Sequence, residues 1–310
     1  MAEELQAVQI RRLADCTFNE AVELWNLGFS GYYSDMTTTL EKFVPRLGRD
    51  SIRPEFSVAA FVDGEPAGFV LVAIKSVDGT VLAWNGGTGV SPRHRGKGLA
   101  KRLMQEAVRA MREGGAKTGL LEVVQKNAGA IAAYESAGFR IRDGLIGAKR
   151  TGPLPDRLRE AAAAAPQYRT CEAKPHQIAR LPFYRHETAW SASWFNHPEA
   201  AGFVVFDRGG AAAAYALAIR RVDDAGALKS ITLLQAAADP SHPERGPLLN
   251  AVLFAAFGPA EADCARATDN VTMSDPALTE WLEAAGFETA YTQYLMIADL
   301  NGAGLPGSEP

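Results

Sequence analysis

Two segments far apart in the chain, Ala133-Tyr-Glu-Ser-Ala-Gly-Phe139 and Trp281-Leu-Glu-Ala-Ala-Gly-Phe287, repeat one pattern at an offset of about 148 residues. The strand signals upstream of them repeat as well. In the first half, residues 57–62, a turn at Asp63-Gly-Glu-Pro66, residues 69–74, a turn at Asp78-Gly79 and residues 81–90 read as an antiparallel meander. Residues 203–206, 215–221 and 231–238, separated by Asp207-Arg-Gly-Gly210 and Asp223-Asp-Ala-Gly226, write that meander again. Pro92 and Pro240 follow the last strand of each, where a residue without an amide proton ends ladder pairing. With 310 residues to distribute, the repeat predicts an α/β chain (α+β type) of two tandem domains, each a mixed, largely antiparallel central sheet flanked by helices. The expected boundaries are 1–150 and 167–300, with a linker at 151–166 and a flexible tail at 301–310. Thr151-Gly-Pro-Leu-Pro155 and the alanine run at 161–165 mark the linker.

Helix signals fill in the first half. Thr17-Phe-Asn-Glu20 has the form of a capping box and opens a helix running to about Gly28; Thr38-Thr-Leu-Glu41 predicts a second box and a helix toward Leu47. The loop between them, residues 29–36, carries Tyr32, Tyr33 and Asp35. Leu99, Leu103, Ala107 and Met111 recur every fourth residue, the stripe of a buried helix face. Residues 119–124 read as a strand, Asn127 as the cap of a short helix, Gly138 as its left-handed terminus and residues 139–146 as a final strand.

Composition narrows the function classes. Hydrophobic residues make up 47% and charged ones 22%, which suits folded cores under a solvated surface. A formal charge of −4 gives no global attraction for nucleic acid. No apolar run approaches the roughly 20 residues of a membrane span, and Met-Ala-Glu-Glu-Leu lacks the features of a signal peptide, so a cytoplasmic location without membrane partners is expected. Cys16, Cys171 and Cys264 stand far apart, and none of the five histidines pairs with a Cys or another His at zinc-site spacing, so no metal is expected.

In this acidic chain, one basic cluster stands out: Arg93-His-Arg-Gly-Lys-Gly98, followed by Lys101 and Arg102. A glycine-rich turn opening a helix presents unpaired amides and the positive end of the helix dipole, a site for phosphate. The same composition also describes a solvated turn. Neither the Gly-x-Gly-x-x-Gly dinucleotide fingerprint nor the Gly-x-x-x-x-Gly-Lys-Ser/Thr loop is present.

With Arg93-x-x-Gly96-x-Gly98 after the fourth strand, and Asn127-x-x-Ala130-x-x-x-Tyr134-Glu-x-x-Gly138-Phe139 after the fifth, the chain resembles the GNAT superfamily of N-acetyltransferases, most closely over residues 8–147 and more weakly over 168–299. The resemblance implies acetyl-CoA as cosubstrate, its pyrophosphate held by the amides of Arg95, Gly96, Lys97, Gly98, Leu99 and Ala100, and its pantetheine beside Thr88, Gly89 and Val90. It implies that an amide near Val90 stabilises the thioester oxygen. It also makes Tyr134 the proton donor to the departing thiol, where the helix alone would make it an aromatic packed beside Phe139. Asn127 caps its helix, with cofactor contact as a second role.

Acyl transfer to an alkyl amine needs a route for the amine's proton, because such an amine is neutral to only about 1 part in 10³ at pH 7. Glu122 is the candidate base: strand alternation can turn it into a cleft while Leu121 and Val123 face the other way. Asp35 competes for that role, and Tyr32, Tyr33 and Asp35 together are candidates to line an acceptor pocket.

The second half departs from the motif. Pro243-Glu-Arg-Gly-Pro-Leu248 puts Leu248 where the first half has Gly98, and Pro247 removes an amide. Asp275 stands in place of Asn127 and Leu282 in place of Tyr134. One active site per chain is expected, acetylating a primary amine of a small molecule. Acetylation of a peptide or protein, or a non-catalytic acyl-CoA sensor, are the alternatives. Trp190, Trp194 and Phe195 read as buried packing or a binding face.

Overall fold

The structure, a computed structural model, describes residues 8–164 and 168–301. It divides into two compact units. The first comprises residues up to Arg142 together with those from Met296 onward, and the second comprises Asp143–Leu295.

In chain order the first unit holds β1 (Val8–Arg12), α1 (Phe18–Gly28), α2 (Leu40–Arg49), β2 (Val58–Val62), β3 (Glu65–Val77), β4 (Thr80–Val90), α3 (Leu99–Glu113), β5 (Thr118–Val124), α4 (Ala128–Ser136) and the first residues of β6 (Arg140–Thr151). The expected capping box starts α1: Thr17 Oγ1 accepts from the Glu20 amide at 3.2 Å and Glu20 returns to the Thr17 amide at 2.7 Å. The second box does not form. Asn26 on α1 takes the Thr38 amide at 2.9 Å, so α2 begins one residue later, after Thr39, without a side-chain cap. Asp63-Gly64 and Asp78-Gly79, all at positive φ, close the two hairpins that make the meander β2-β3-β4. The expected stripe of α3 is buried, Leu103, Ala107 and Met111 completely.

Strands β4 and β5 run parallel and pair at Leu82↔Thr118, Ala83↔Gly119 and Trp84↔Leu120. Just beyond, the β3 register slips, with Leu71 opposite Gly87 and Val72 opposite Asn85, so Gly86 is the extra residue of a bulge. The bulge bends β4 where its pairing with β5 stops.

The second unit holds the rest of β6, then α5 (Asp156–Ala164), β7 (Arg169–Ala173), α6 (Pro175–Ile178), β8 (Ala201–Phe206), β9 (Ala212–Val222), β10 (Leu228–Ala238), α7 (Arg245–Phe257), β11 (Ala265–Thr268), β12 (Val271–Thr272), α8 (Pro276–Ala284) and β13 (Glu288–Asp299) as far as Leu295. Its sheet order is β6-β11-β10-β9-β8-β7. Here the structure differs from the linear boundaries 1–150 and 167–300. The final strand expected for the first half extends to Thr151 and pairs inside the second unit, with Lys149↔Ala267, Arg150↔Arg266 and Thr151↔Ala265. In exchange, the end of β13 lies beside β5 in the first unit, where the Leu300 amide donates to Lys117 O at 2.9 Å. Each strand follows the same Ala-Gly-Phe turn and each is 12 residues long. Local pattern therefore defines a strand here without saying which sheet it completes.

The expected linker is part of the second unit too. Leu154 is buried in that unit's core, α5 covers much of the alanine run, and the buried Arg266 guanidinium donates to the carbonyls of Gly152, Phe257, Pro259 and Ala262. Residues 165–166 of the linker and 302–310 of the tail lie outside the described residues. Among the described residues no helix is long and apolar enough to cross a membrane.

Candidate functional site

A cleft of ≈ 680 Å³ opens in the first unit. It is walled by the start of α3 with its preceding turn, by α4, by the end of β4 and by the α1–α2 loop. Local chemistry places each wall. β4 ends at Val90, Pro92–His94 forms one 3-10 turn, and Gly96 and Gly98 then take φ of 74° and 78°, a left-handed conformation that glycine adopts without strain. Gly98 is the N-cap of α3 and carries no side chain to cap it, so the first amides of the helix are left for another acceptor. Gly96, Gly98, Leu99, Ala100, His94 and Lys101 line the cleft; Lys97 and Gly89 are not among the lining residues.

Arg95 lines the cleft, but its guanidinium is held by protein: Nε donates to Val90 O at 2.9 Å, and one terminal nitrogen donates to Gly28 O at 3.1 Å and Ser30 O at 2.7 Å. The side chain pins the glycine-rich turn to the end of β4 and to the exit of α1. That exit lies close against β4, since a Cβ on Gly28 would stand 2.8 Å from Gly89 Cα. The α1–α2 loop is thereby set over the cleft, with Tyr32 packed edge-on between Phe29 and Tyr33 and the Tyr33 hydroxyl donating to Lys126 O at 3.2 Å. Asp35 lies in a neighbouring pocket of the same loop, where its carboxylate accepts from the Thr37 amide at 2.9 Å and sits below the usual range through that threonine's hydrogen bonds.

On α4, Asn127 is the expected cap, accepting from the Ala130 amide at 3.2 Å, and it lines the cleft. Tyr134 also lines the cleft, is 6% exposed and meets Phe139 edge-on at 6.5 Å, so it both packs and faces the cavity. Burial pushes its phenol up to about 12, opposed by hydrogen bonding from Thr88 and, less strongly, from Asn85. Asn85 is a residue that sequence reasoning missed; its signal is a lone amide inside an apolar strand, directly before Gly86 and Gly87. It is 5% exposed, and its Oδ1 accepts from the Gly87 amide at 3.0 Å while Nδ2 reaches Thr88 Oγ1 at 2.8 Å. Glu122 is placed differently from the expectation. Its carboxylate accepts from Trp84 Nε1 at 2.7 Å, and it is not among the residues lining the cleft.

The equivalent region of the second unit is filled from within. Leu248 and Leu282 are buried in its core, and the buried Asp275 carboxylate, at the N-cap of α8, pairs with Arg245 at the start of α7 at 3.4 Å. Trp190 is buried and meets Phe195 edge-on at 5.1 Å, and Phe195 meets Trp194 at 6.0 Å.

Comparison with known proteins agrees with this architecture. Residues 18–139 match the model of the Acetyltransferase (GNAT) family. A streptothricin acetyltransferase of Streptomyces lavendulae is 41% identical over 87 residues, which are 26% of this chain and 42% of that protein. The chain thus spans less than half the length of this relative. Among solved structures, a GCN5-related glucosamine N-acetyltransferase region of a fungal multi-domain GH3 beta-N-acetylglucosaminidase superposes with a TM-score of 0.62 at 17% identity, covering 96% of this chain and 38% of that one. A tandem GNAT protein from the clavulanic acid biosynthesis pathway superposes with a TM-score of 0.52 at 16% identity, over 96% of this chain and all of that one. The fold is that of the tandem GNAT structures, and residues 18–139 are similar to the acetyltransferase domain of the GNAT family.

Proposed function

We propose that the first unit transfers an acetyl group from acetyl-CoA to a primary amine of a small molecule. The observation that carries this reading is the pairing of two features at one cleft: an uncapped helix N-terminus preceded by two left-handed glycines, and a buried, protonated tyrosine across the cavity. The amides of Gly98, Leu99 and Ala100 are suited to a pyrophosphate, because a helix N-terminus favours negative charge by both its unpaired donors and its dipole. His94 and Lys101 add positive or donor groups at the rim. Bound acetyl-CoA supplies an acetyl group activated as a thioester.

The chain's own residues then handle position and protons. Thr88 and Val90 line the cleft at the end of β4, and an amide near Val90 is placed to stabilise negative charge on the acyl oxygen. Tyr134 is a proton donor, since a phenol raised to about 12 keeps its proton at neutral pH. Tyr32 and Tyr33 close the cleft on the side of the α1–α2 loop and, with Asp35 nearby, suit a cationic acceptor. Glu122 stays a candidate base only through an intervening water, because its carboxylate is held against Trp84. The relative named for streptothricin acetylation favours a small-molecule acceptor over a polypeptide. In the second unit Asp275 pairs with Arg245 at the start of α7, where unit one has the uncapped start of α3, which supports a phosphate site in the first unit alone.

Calorimetric titration with acetyl-CoA, followed by thiol release across a library of small amines and peptides, tests this reading. One molecule bound per chain and turnover of a small primary amine are expected. No binding removes the reading. Turnover of peptides alone moves the acceptor class, and binding without any turnover makes the chain an acyl-CoA sensor.

A further inference from the structure

Aromatic rings close the inner end of the cleft. Val90 and Thr88 line it, and one residue further back along β4 stands Gly87. A Cβ on Gly87 would lie 3.2 Å from Trp25 Cζ3 and 3.5 Å from Phe29 Cζ, so a single added carbon there already meets both rings. Trp25 has no room to give way. It is 3% exposed, stacks on Phe69 at 5.5 Å, meets Phe43 edge-on at 6.1 Å, lies under the Arg46 guanidinium at 4.3 Å and donates through Nε1 to Met36 O at 2.6 Å. Phe29, the residue that ends α1, is placed differently. It is half-buried, leans on Trp25 at 4.5 Å, Phe69 at 5.6 Å and Tyr32 at 5.1 Å, and lines both the cleft and the ≈ 300 Å³ pocket that holds Asp35. Tyr32 lines both cavities as well, but the Phe29 ring comes nearer to Gly87. Phe29 is thus a partition, backed by space rather than by core.

We infer that Phe29 sets the length of the acyl chain this site accepts, admitting acetyl and excluding butyryl and longer chains. The inference rests on the acyl-transfer reading of the cleft. A thioester lying beside Val90 and Thr88 directs its acyl chain toward Gly87, where a methyl group ends short of the rings and each further methylene presses on Phe29. Moving that ring breaks its packing against Trp25, Phe69 and Tyr32 together, which is the cost of overfilling a packed site. The chemistry itself does not discriminate. For any chain length the amine nitrogen bonds to the acyl carbon, the C–S bond breaks, and the thiol departs with the proton that the amine gives up. Only the space beyond the acyl carbon differs, and a smaller residue at position 29 joins the cleft to the pocket behind it.

The test uses the full chain, the best amine from the library, and acetyl-, propionyl- and butyryl-CoA as donors. Wild type is expected to use butyryl-CoA with a kcat/KM about a hundredfold or more below that for acetyl-CoA, with propionyl-CoA between them. Phe29→Leu is expected to bring the butyryl ratio within about tenfold, and Phe29→Trp to lower propionyl use about tenfold further. A merely structural role for Phe29 would lower the use of all three donors together, leaving the ratios unchanged, and that result in a folded variant overturns the inference. Should Phe29→Leu fail to fold, the propionyl ratio of Phe29→Trp decides. Equal use of acetyl- and butyryl-CoA by wild type overturns the role of Phe29 and leaves the acyl-transfer reading standing. Calorimetry decides the matter in a chain that acylates no amine. There, butyryl-CoA binding about tenfold more weakly than acetyl-CoA, with the difference removed by Phe29→Leu, supports the role of Phe29 while the transfer reading alone falls; equal affinities overturn it. No binding of any acyl-CoA removes both.

Discussion

A tyrosine buried without a charged partner holds its proton harder than one in water. For Tyr134 the folded value is about 12 against 10.0 for the free phenol. Below pH 10 folded and unfolded chains both keep the proton and the group is silent. Between about 10 and 12 the unfolded chain releases its proton first, so stability falls as pH rises through this window. Urea midpoints of the wild type should drop more steeply there than those of Tyr134→Phe, and parallel curves would show that the phenol is not desolvated. At neutral pH, Tyr134→Phe should lower kcat about 10²-fold with acetyl-CoA affinity nearly unchanged, checked by steady-state kinetics and calorimetry. Gly98→Leu copies the residue of the second unit into a φ of 78°, where a side chain costs about 1–2 kcal/mol, and it crowds the helix N-terminus. Both the melting temperature and acetyl-CoA affinity should fall, the affinity about tenfold or more. The glycine-rich helix start at Gly98 and the place of Tyr134 on α4 were legible, because residue type and motif spacing pointed to both positions. The partners of Arg95 were not, since a basic residue beside a phosphate turn reads as a phosphate ligand, and only the fold brings the carbonyls of Gly28, Ser30 and Val90 to it.

Among the elements, α1 shows where local signals decide and α2 where they fail. Thr17 and Glu20 exchange hydrogen bonds within one turn, so nothing distant is needed. Thr17→Ala should cost about 1 kcal/mol in urea unfolding and leave the kinetics unchanged. Thr38 has the same spacing to Glu41, but Asn26 on the preceding helix competes for its amide and wins, a contact that no local window contains. The same reasoning covers Glu122. Alternation along β5 gives its face, but the partner on that face, Trp84, comes from another strand.

Across the whole molecule, the repeat at about 148 residues correctly implied two units of one plan, because duplicated meanders leave duplicated turns. It did not reveal the exchange of last strands, because β6 and β13 carry equivalent patterns and pattern alone does not say which sheet each completes. A chain ending at Leu295 tests the exchange. It retains every residue lining the cleft yet lacks the strand beside β5, so it should lose acetyl-CoA binding and melt at lower temperature, whereas retention of both would show the strand to be dispensable.

The exchanged strand also bears on synthesis. A ribosome delivers residues in order, and the segment that finishes the first unit emerges only after residues 143–295 have been made, a delay of roughly 8–30 s at about 5–20 residues per second. Through that interval the edge of β5 waits for its neighbour, exposed to pairing with other chains. Completion of the cleft-bearing unit thereby waits for the whole second unit, and a message broken before Met296 yields no completed first unit.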